Sequence, residues 1–242
     1  MGLNKPRAWR VLGFIVTIAL LAFCIWFIQQ CVKQQIAIDQ KAIATHINSA
    51  SAMMRQGQLK PAEHHLKKAL SIDPESSGVH LRLGNLYLQQ RQLSRALDHL
   101  QKAELLSPKD VSIINNLGTI YSQLGDTRRA IDEFTKAIQL MPTEAGGYNN
   151  LAWLLATCTD AKFRDPQKAI SLANKACELT DWNHFPTLDT LATTYAEVGN
   201  FKDAVRWQAK ALEVAPESQK AALRERLDRY RQGKSYRTPE TK

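Results

Sequence analysis

Apolar and small residues recur along this chain at helical spacing. Leu83, Gly84 and Tyr87 form one stripe and Ala96, Leu100 and Ala103 a second, each the buried face of an amphipathic helix. The stripes repeat with a fixed period. Gly84, Tyr87, Ala96, Leu100, Ala103 and Pro108 return 34 residues later as Gly118, Tyr121, Ala130, Phe134, Ala137 and Pro142. Stepping back by the same interval gives Ala50, Met53, Ala62, Leu66, Ala69 and Pro74. The small residues allow two helix axes to approach, and Tyr87 and Leu100 fill the space beside them. Turn residues such as Gly125-Asp126-Thr127 separate the helices, and Pro108 and Pro142 stop the second helix of a unit. The pattern predicts two-helix units stacked into a solenoid, each unit touching its neighbours.

The period sets the organisation. Repeats fall at 43–76, 77–110, 111–144, 145–184 and 185–216. In the fourth, Leu151, Ala152 and Leu155 lie on the first helix and Ala169, Ala173 and Ala176 on the second, with five residues inserted within 157–166. The fifth carries Leu191, Ala192, Tyr195, Ala204, Ala211 and Pro216. Beyond it, 217–233 reads as a capping helix with Leu223, Leu227 and Tyr230 on one face, and 234–242 as a mobile polar tail.

The N-terminal pattern differs. From Val11 to Ile28 eighteen residues pass without a charge, about 27 Å as a helix and close to the thickness of a bilayer core. Residues 11–32 are expected to be an uncleaved transmembrane anchor: no small-residue cleavage motif follows, and Phe23 spoils a lipoprotein box at Cys24. Residues 33–42 lack glycine and proline and read as a helical linker. Lys5, Arg7 and Arg10 lie in a basic tail, 1–10, against Lys33 and Lys41 beyond the span. The positive-inside rule then leaves the tail cytoplasmic and puts the repeats on the periplasmic side of an inner membrane.

These residues resemble the tetratricopeptide repeat, a helix-turn-helix unit of this length with this small, aromatic and proline pattern. The resemblance implies an all-α right-handed superhelix, preceded here by one transmembrane helix and closed by the capping helix. It also implies a concave face, made by the first helices, that binds an extended peptide or a partner helix.

A formal net charge of +9 suggests nucleic acid until it is mapped. From Lys220 onward there are eight basic and three acidic residues, and the tail before the span holds three basic ones. The repeat body is nearly neutral, which disfavours a phosphate-tracking surface. Cys158 and Cys177 belong at opposite ends of one hairpin, so no intrachain disulfide is expected, and Cys24 and Cys31 share a face of the anchor. The six histidines read as scattered, His64 and His65 diverge by about 100° on a helix, and no catalytic or phosphate-binding motif occurs. No metal, cofactor or enzymatic activity is expected.

The concave-face positions are Arg82, Asn85, Asn115, Asn116, Thr119, Asn149, Asn150 and Trp153. Asparagine both donates to and accepts from a peptide backbone, and Trp153 is the one large aromatic anchor in line. With only Arg82 basic there, the several cations by which some family members clamp a terminal carboxylate are missing. The expected function is a membrane-anchored scaffold or adaptor that binds a partner polypeptide in assembly of an envelope or membrane complex. The alternatives are a self-assembling structural protein and an accessory subunit docking a catalytic partner.

Overall fold

The computed structural model describes residues 5–235, with side chains given at 12, 14, 17 and from residue 20 onward. The described chain is all-α, with eleven α-helices and one short 3-10 turn. It divides into two units, residues 1–75 and 76–242.

The first unit is one long helix and one short one. α1 runs unbroken from Lys5 to Arg55 and α2 from Leu59 to Ile72. Gly57 takes φ +73° in the turn between them, a backbone region where a side chain is strained. Ala50, Ala62, Leu66 and Ala69 are fully buried where the two helices meet. Over its earlier length α1 is apolar and bare: Phe14, Leu20, Leu21, Phe23, Trp26 and Ile28 are all more than half exposed. Among the described residues no helix is long and apolar enough to cross a membrane. Within the stretch assigned to a span, 11–32, the side chains at 11, 13, 15, 16, 18 and 19 lie outside the described ones, as do those of the basic tail at 1–10 and the tail beyond 235.

The second unit is built from four hairpins. They are α3 (Ser77–Gln89) with α4 (Leu93–Leu106), α5 (Val111–Gln123) with α6 (Thr127–Leu140), α7 (Ala145–Thr157) with α8 (Pro166–Glu178), and α9 (Phe185–Glu197) with α10 (Phe201–Val214). Each second helix touches the first helix of the next hairpin, and α3, α5, α7 and α9 also touch in succession. This contact order makes an inner layer of first helices and an outer layer of second helices. α11 (Glu217–Arg231) packs on α10 and buries Leu223, Leu227 and Tyr230.

The repeated small residues explain the close packing. A Cβ on Gly84 would lie 2.5 Å from Leu100 Cγ, and one on Gly118 would lie 2.6 Å from Phe134 Cε1. Only glycine lets those side chains lie on the opposing backbone. Helix starts are marked by side-chain caps: Asp110 accepts from the Ser112 and Ile113 amides, Asp126 from Arg129 and Asn200 from Asp203. The short turns after α5 and α9 use a left-handed glycine, Gly125 at φ +79° and Gly199 at φ +78°, and the turn after α3 puts Arg91 there at φ +58°. The insertion in the fourth repeat is ordered. It forms the 3-10 turn Ala161–Phe163, and the Asp165 amide bonds back to the Leu155 carbonyl.

Candidate functional site

A groove of about 450 Å³ opens on the inner layer of the second unit. α5, α7 and α9 each present their residues three and four apart to it, and α11 closes its far end. Four of the eight residues singled out from sequence line it: Thr119, Asn149, Asn150 and Trp153. Trp153 is half-buried and also borders a second cavity of about 370 Å³ beside Cys158. The Asn149 Oδ1 is buried within the wall and has no hydrogen-bond partner among the described residues.

The other four lie outside the groove lining. Asn116 donates from Nδ2 to Asn85 Oδ1 at 2.7 Å, linking α5 to α3 through an amide pair. Arg82 turns back along its own helix and donates to the Gly78 carbonyl at 3.0 Å. Asn115 is buried with its amide against Gly146 of α7, and its Oδ1 also lacks a partner.

Sequence reasoning missed the charged end of this groove. Asp189, Gln219 and Arg226 line it, with Phe185 and Pro186 at the start of α9. Arg226 Nε donates to Asp189 Oδ1 at 2.8 Å, and Gln208 Nε2 donates to the same oxygen at 2.8 Å and to the Leu223 carbonyl at 3.3 Å. The pair is largely out of solvent, with side chains 19% and 12% exposed for Arg226 and Asp189. Burial raises the Asp189 carboxyl above its ordinary value, while the Arg226 guanidinium and the Gln208 amide pull it back. Nearby, the Tyr230 hydroxyl meets Thr193 Oγ1 at 2.9 Å, and burial pushes that phenol's pKa upward. One signal was available. Asp189 precedes Leu191 by two residues, as Asn115 precedes Leu117 and Asn149 precedes Leu151. It is the third member of the same row. Arg226 had no such cue, because it comes from outside the repeats.

No group of three or more histidine, cysteine or carboxylate side chains converges on a metal position among the described residues. Cys158 and Cys177 are buried free thiols, and burial pushes Cys177 up to about 11. What the groove offers is amide and hydroxyl hydrogen bonding beside one indole and two phenyl rings, those of Phe134 and Phe185.

Comparison with known proteins gives the repeats their identity. Tetratricopeptide repeat family models match residues 53–119, 111–144 and 187–215. No curated protein matches the sequence. Among solved structures, a thermophilic TPR protein of Thermus thermophilus superposes with TM-score 0.66 at 19% identity, covering 79% of this chain and 98% of that one. The pilF protein of Pseudomonas aeruginosa gives 0.63 at 18% identity, over 79% and 90%. YrrB, described as a TPR protein with an unusual peptide-binding site, gives 0.51 at 22% identity, over 78% and 98%. Likeness at these identities is likeness of fold.

Proposed function

Starting from a chain built of tetratricopeptide repeats, we propose that it is a membrane-anchored adaptor whose groove on α5, α7, α9 and α11 holds an extended segment of a partner protein. Tetratricopeptide repeat proteins generally mediate protein–protein interactions. The observation that carries the reading here is the groove itself, a trough of about 450 Å³ lined by Trp153 beside Asn149 and Asn150. The amide side chains of Asn149 and Asn150 give a peptide backbone hydrogen-bonding groups along the trough, and an apolar side chain supplies a partner for the indole. The peptide binding recorded for YrrB supports the class of ligand.

Anchoring rests on α1. It has eighteen residues without a charge, its Leu20, Phe23, Trp26 and Ile28 are exposed among the described residues, and lipid is the environment that covers such a helix on all sides. The charge bias of the first ten residues supports a cytoplasmic N-terminus with the repeats in the periplasm. Assembly of an envelope or membrane complex is the role in which an anchored, non-enzymatic groove is useful.

Photo-crosslinking puts the groove at risk. A crosslinkable residue at Asn150 in the full chain, expressed in its native membranes, should give a discrete adduct that is lost with Trp153→Ala. Adducts equally strong from Asn150 and from the outward-facing Lys168 would remove the groove as the binding surface.

A further inference from the structure

The residues inserted in the fourth repeat do more than lengthen a turn. In the other hairpins of the second unit the chain passes between helices quickly, at 90–92, 124–126 and 198–200. After α7 it runs from Cys158 to Asp165 before α8 begins, and it leaves α7 extended at Cys158, φ −59° and ψ 142°. A cavity of about 370 Å³ is lined on one side by Leu124 and Thr127 at the α5–α6 turn and on the other by Leu154, Cys158 and Thr159. Ser122, Gln123, Trp153 and Leu154 line both this cavity and the trough, so the two adjoin at the indole.

The wall is neutral, for no residue lining the cavity carries a formal charge. The acids beside it are committed elsewhere: Asp126 accepts from the Arg129 amide and meets the Arg129 side chain at 2.6 Å, and Asp160 meets Lys162 at 2.9 Å. Thr127 is 9% exposed, and its hydroxyl makes no hydrogen bond among the described residues. Unlike the Asn149 Oδ1, that hydroxyl is not sealed from solvent. A charged group would enter this space without a counter-ion in the lining, and a purely apolar one would leave the Thr127 hydroxyl unpaired. An uncharged body with a polar tip avoids both penalties, and the Trp153 indole favours an aromatic ring beside it.

We propose that the cavity is a specificity pocket for one uncharged, hydroxyl-bearing aromatic side chain, a tyrosine in chemical terms, of the segment held in the trough. This rests on the reading of the trough as a peptide site, and it adds which residue type the partner presents beside Trp153. Leu124 and Leu154 take the ring, and the Thr127 hydroxyl takes the tip. The insertion supplies Cys158 and Thr159, so the pocket belongs to the fourth repeat of this chain and not to the repeat as such.

Cys158 in the wall allows the full chain in detergent to be probed by disulfide tethering. Burial holds its thiol above the ordinary value although Arg164 opposes this, so exchange is run at mildly basic pH. The probes are mixed disulfides of mercaptoethanol with hydroxyphenethyl, phenethyl, carboxyphenethyl or aminomethylphenethyl thiol. The Cys158 thiolate takes up the probe thiol and releases mercaptoethanol, and mass spectrometry of the Cys158 peptide gives the yield relative to the urea-unfolded chain. The hydroxyphenethyl yield should exceed that of either charged probe at least about tenfold. It should exceed the phenethyl yield about three- to tenfold, a margin that Thr127→Val removes. Equal yields across the wild-type series, or no capture at Cys158 in the folded chain, overturn the pocket whether or not the variant folds. The Asn150 crosslink separates pocket from trough. Labelling Cys158 with the hydroxyphenethyl group in native membranes should lower the Asn150 adduct at least about tenfold, while a Cys158→Ser chain treated alike keeps it. An adduct unchanged by the filled cavity overturns the pocket and leaves the trough standing. Absence of any Asn150 adduct refutes the trough, and the tethering series then decides the cavity alone.

Discussion

Replacing Arg226 with methionine is the most informative perturbation of the groove. It keeps the length and apolar stem of the side chain and removes the guanidinium that meets Asp189 at 2.8 Å. Removing one partner of a buried pair costs about 3–5 kcal/mol when the remaining charge has no other support. Asp189 keeps the Gln208 donor and some solvent contact, so the expected loss is nearer about 2–3 kcal/mol. With a urea dependence of about 1–3 kcal/mol per molar, the midpoint should shift by roughly 1 M or more. The double variant Asp189→Leu, Arg226→Met should recover to within about 1 kcal/mol of wild type, because Gln208 retains the Leu223 carbonyl as its acceptor.

pH separates this explanation from lost packing. Burial already raises the Asp189 carboxyl, and removal of Arg226 raises it further. A carboxyl raised in the folded state penalises folding only above its unfolded value of 3.8. The single variant's deficit should therefore be full at neutral pH and shrink as pH falls toward 4. Circular dichroism of urea unfolding at both pH values checks this. A deficit that is the same at both, and that the second substitution does not repair, would refute the ion-pair account.

Other expectations follow from the packing. Gly118→Ala should destabilise by about 1–2 kcal/mol, an overpacking cost against Phe134 that exceeds the helix propensity gained, and a higher melting point would contradict the close approach. Arg91→Gly should stabilise by up to about 1 kcal/mol by relieving the left-handed backbone at φ +58°, measured in the same urea assay. Trp153→Ala should weaken partner capture at least about tenfold while the half-buried site leaves melting little changed; a matched loss of folding would put the indole in the core. Cys177, held near 11, should resist alkylation in the native chain at mildly basic pH and react once urea exposes it.

The repeats were legible in the sequence because every unit solves the same packing problem with the same parts. Gly84 under Leu100 and Gly118 under Phe134 are one contact made twice, so the period reports the geometry directly. Half of the concave row was legible for the same reason, and Thr119, Asn149, Asn150 and Trp153 do line one groove. Asp189 was passed over because a charge beside Leu188 and Leu191 looks foreign to a buried stripe; the register alone would have shown it standing where Asn115 and Asn149 stand. Arg226 is a tertiary contact across 37 residues, outside any period. The histidines were read as scattered because the partner of His46 is His65 and that of His80 is His99, each 19 residues away across a hairpin. Helical spacing gives no hint of such pairs, although their recurrence 34 residues apart does.

The place of α11 ties stability to selectivity. It docks where a next repeat's first helix would stand, and it brings Gln219 and Arg226 into the groove. The ion pair that fastens it is therefore also the electrostatic end wall of the trough. Arg226 gives its Nε to Asp189, so an anionic ligand reaching that end meets a neutralised pair, and drawing the guanidinium away would leave a buried carboxylate behind. Among the described residues lining the groove, Arg226 is the one cation, and Asp189 already neutralises it. A ligand that fits has neutral polar backbone and apolar side chains across α5 to α9. Its acidic groups, where it has them, belong outside the trough, because at its charged end they meet the Asp189 carboxylate together with the guanidinium that Asp189 already neutralises.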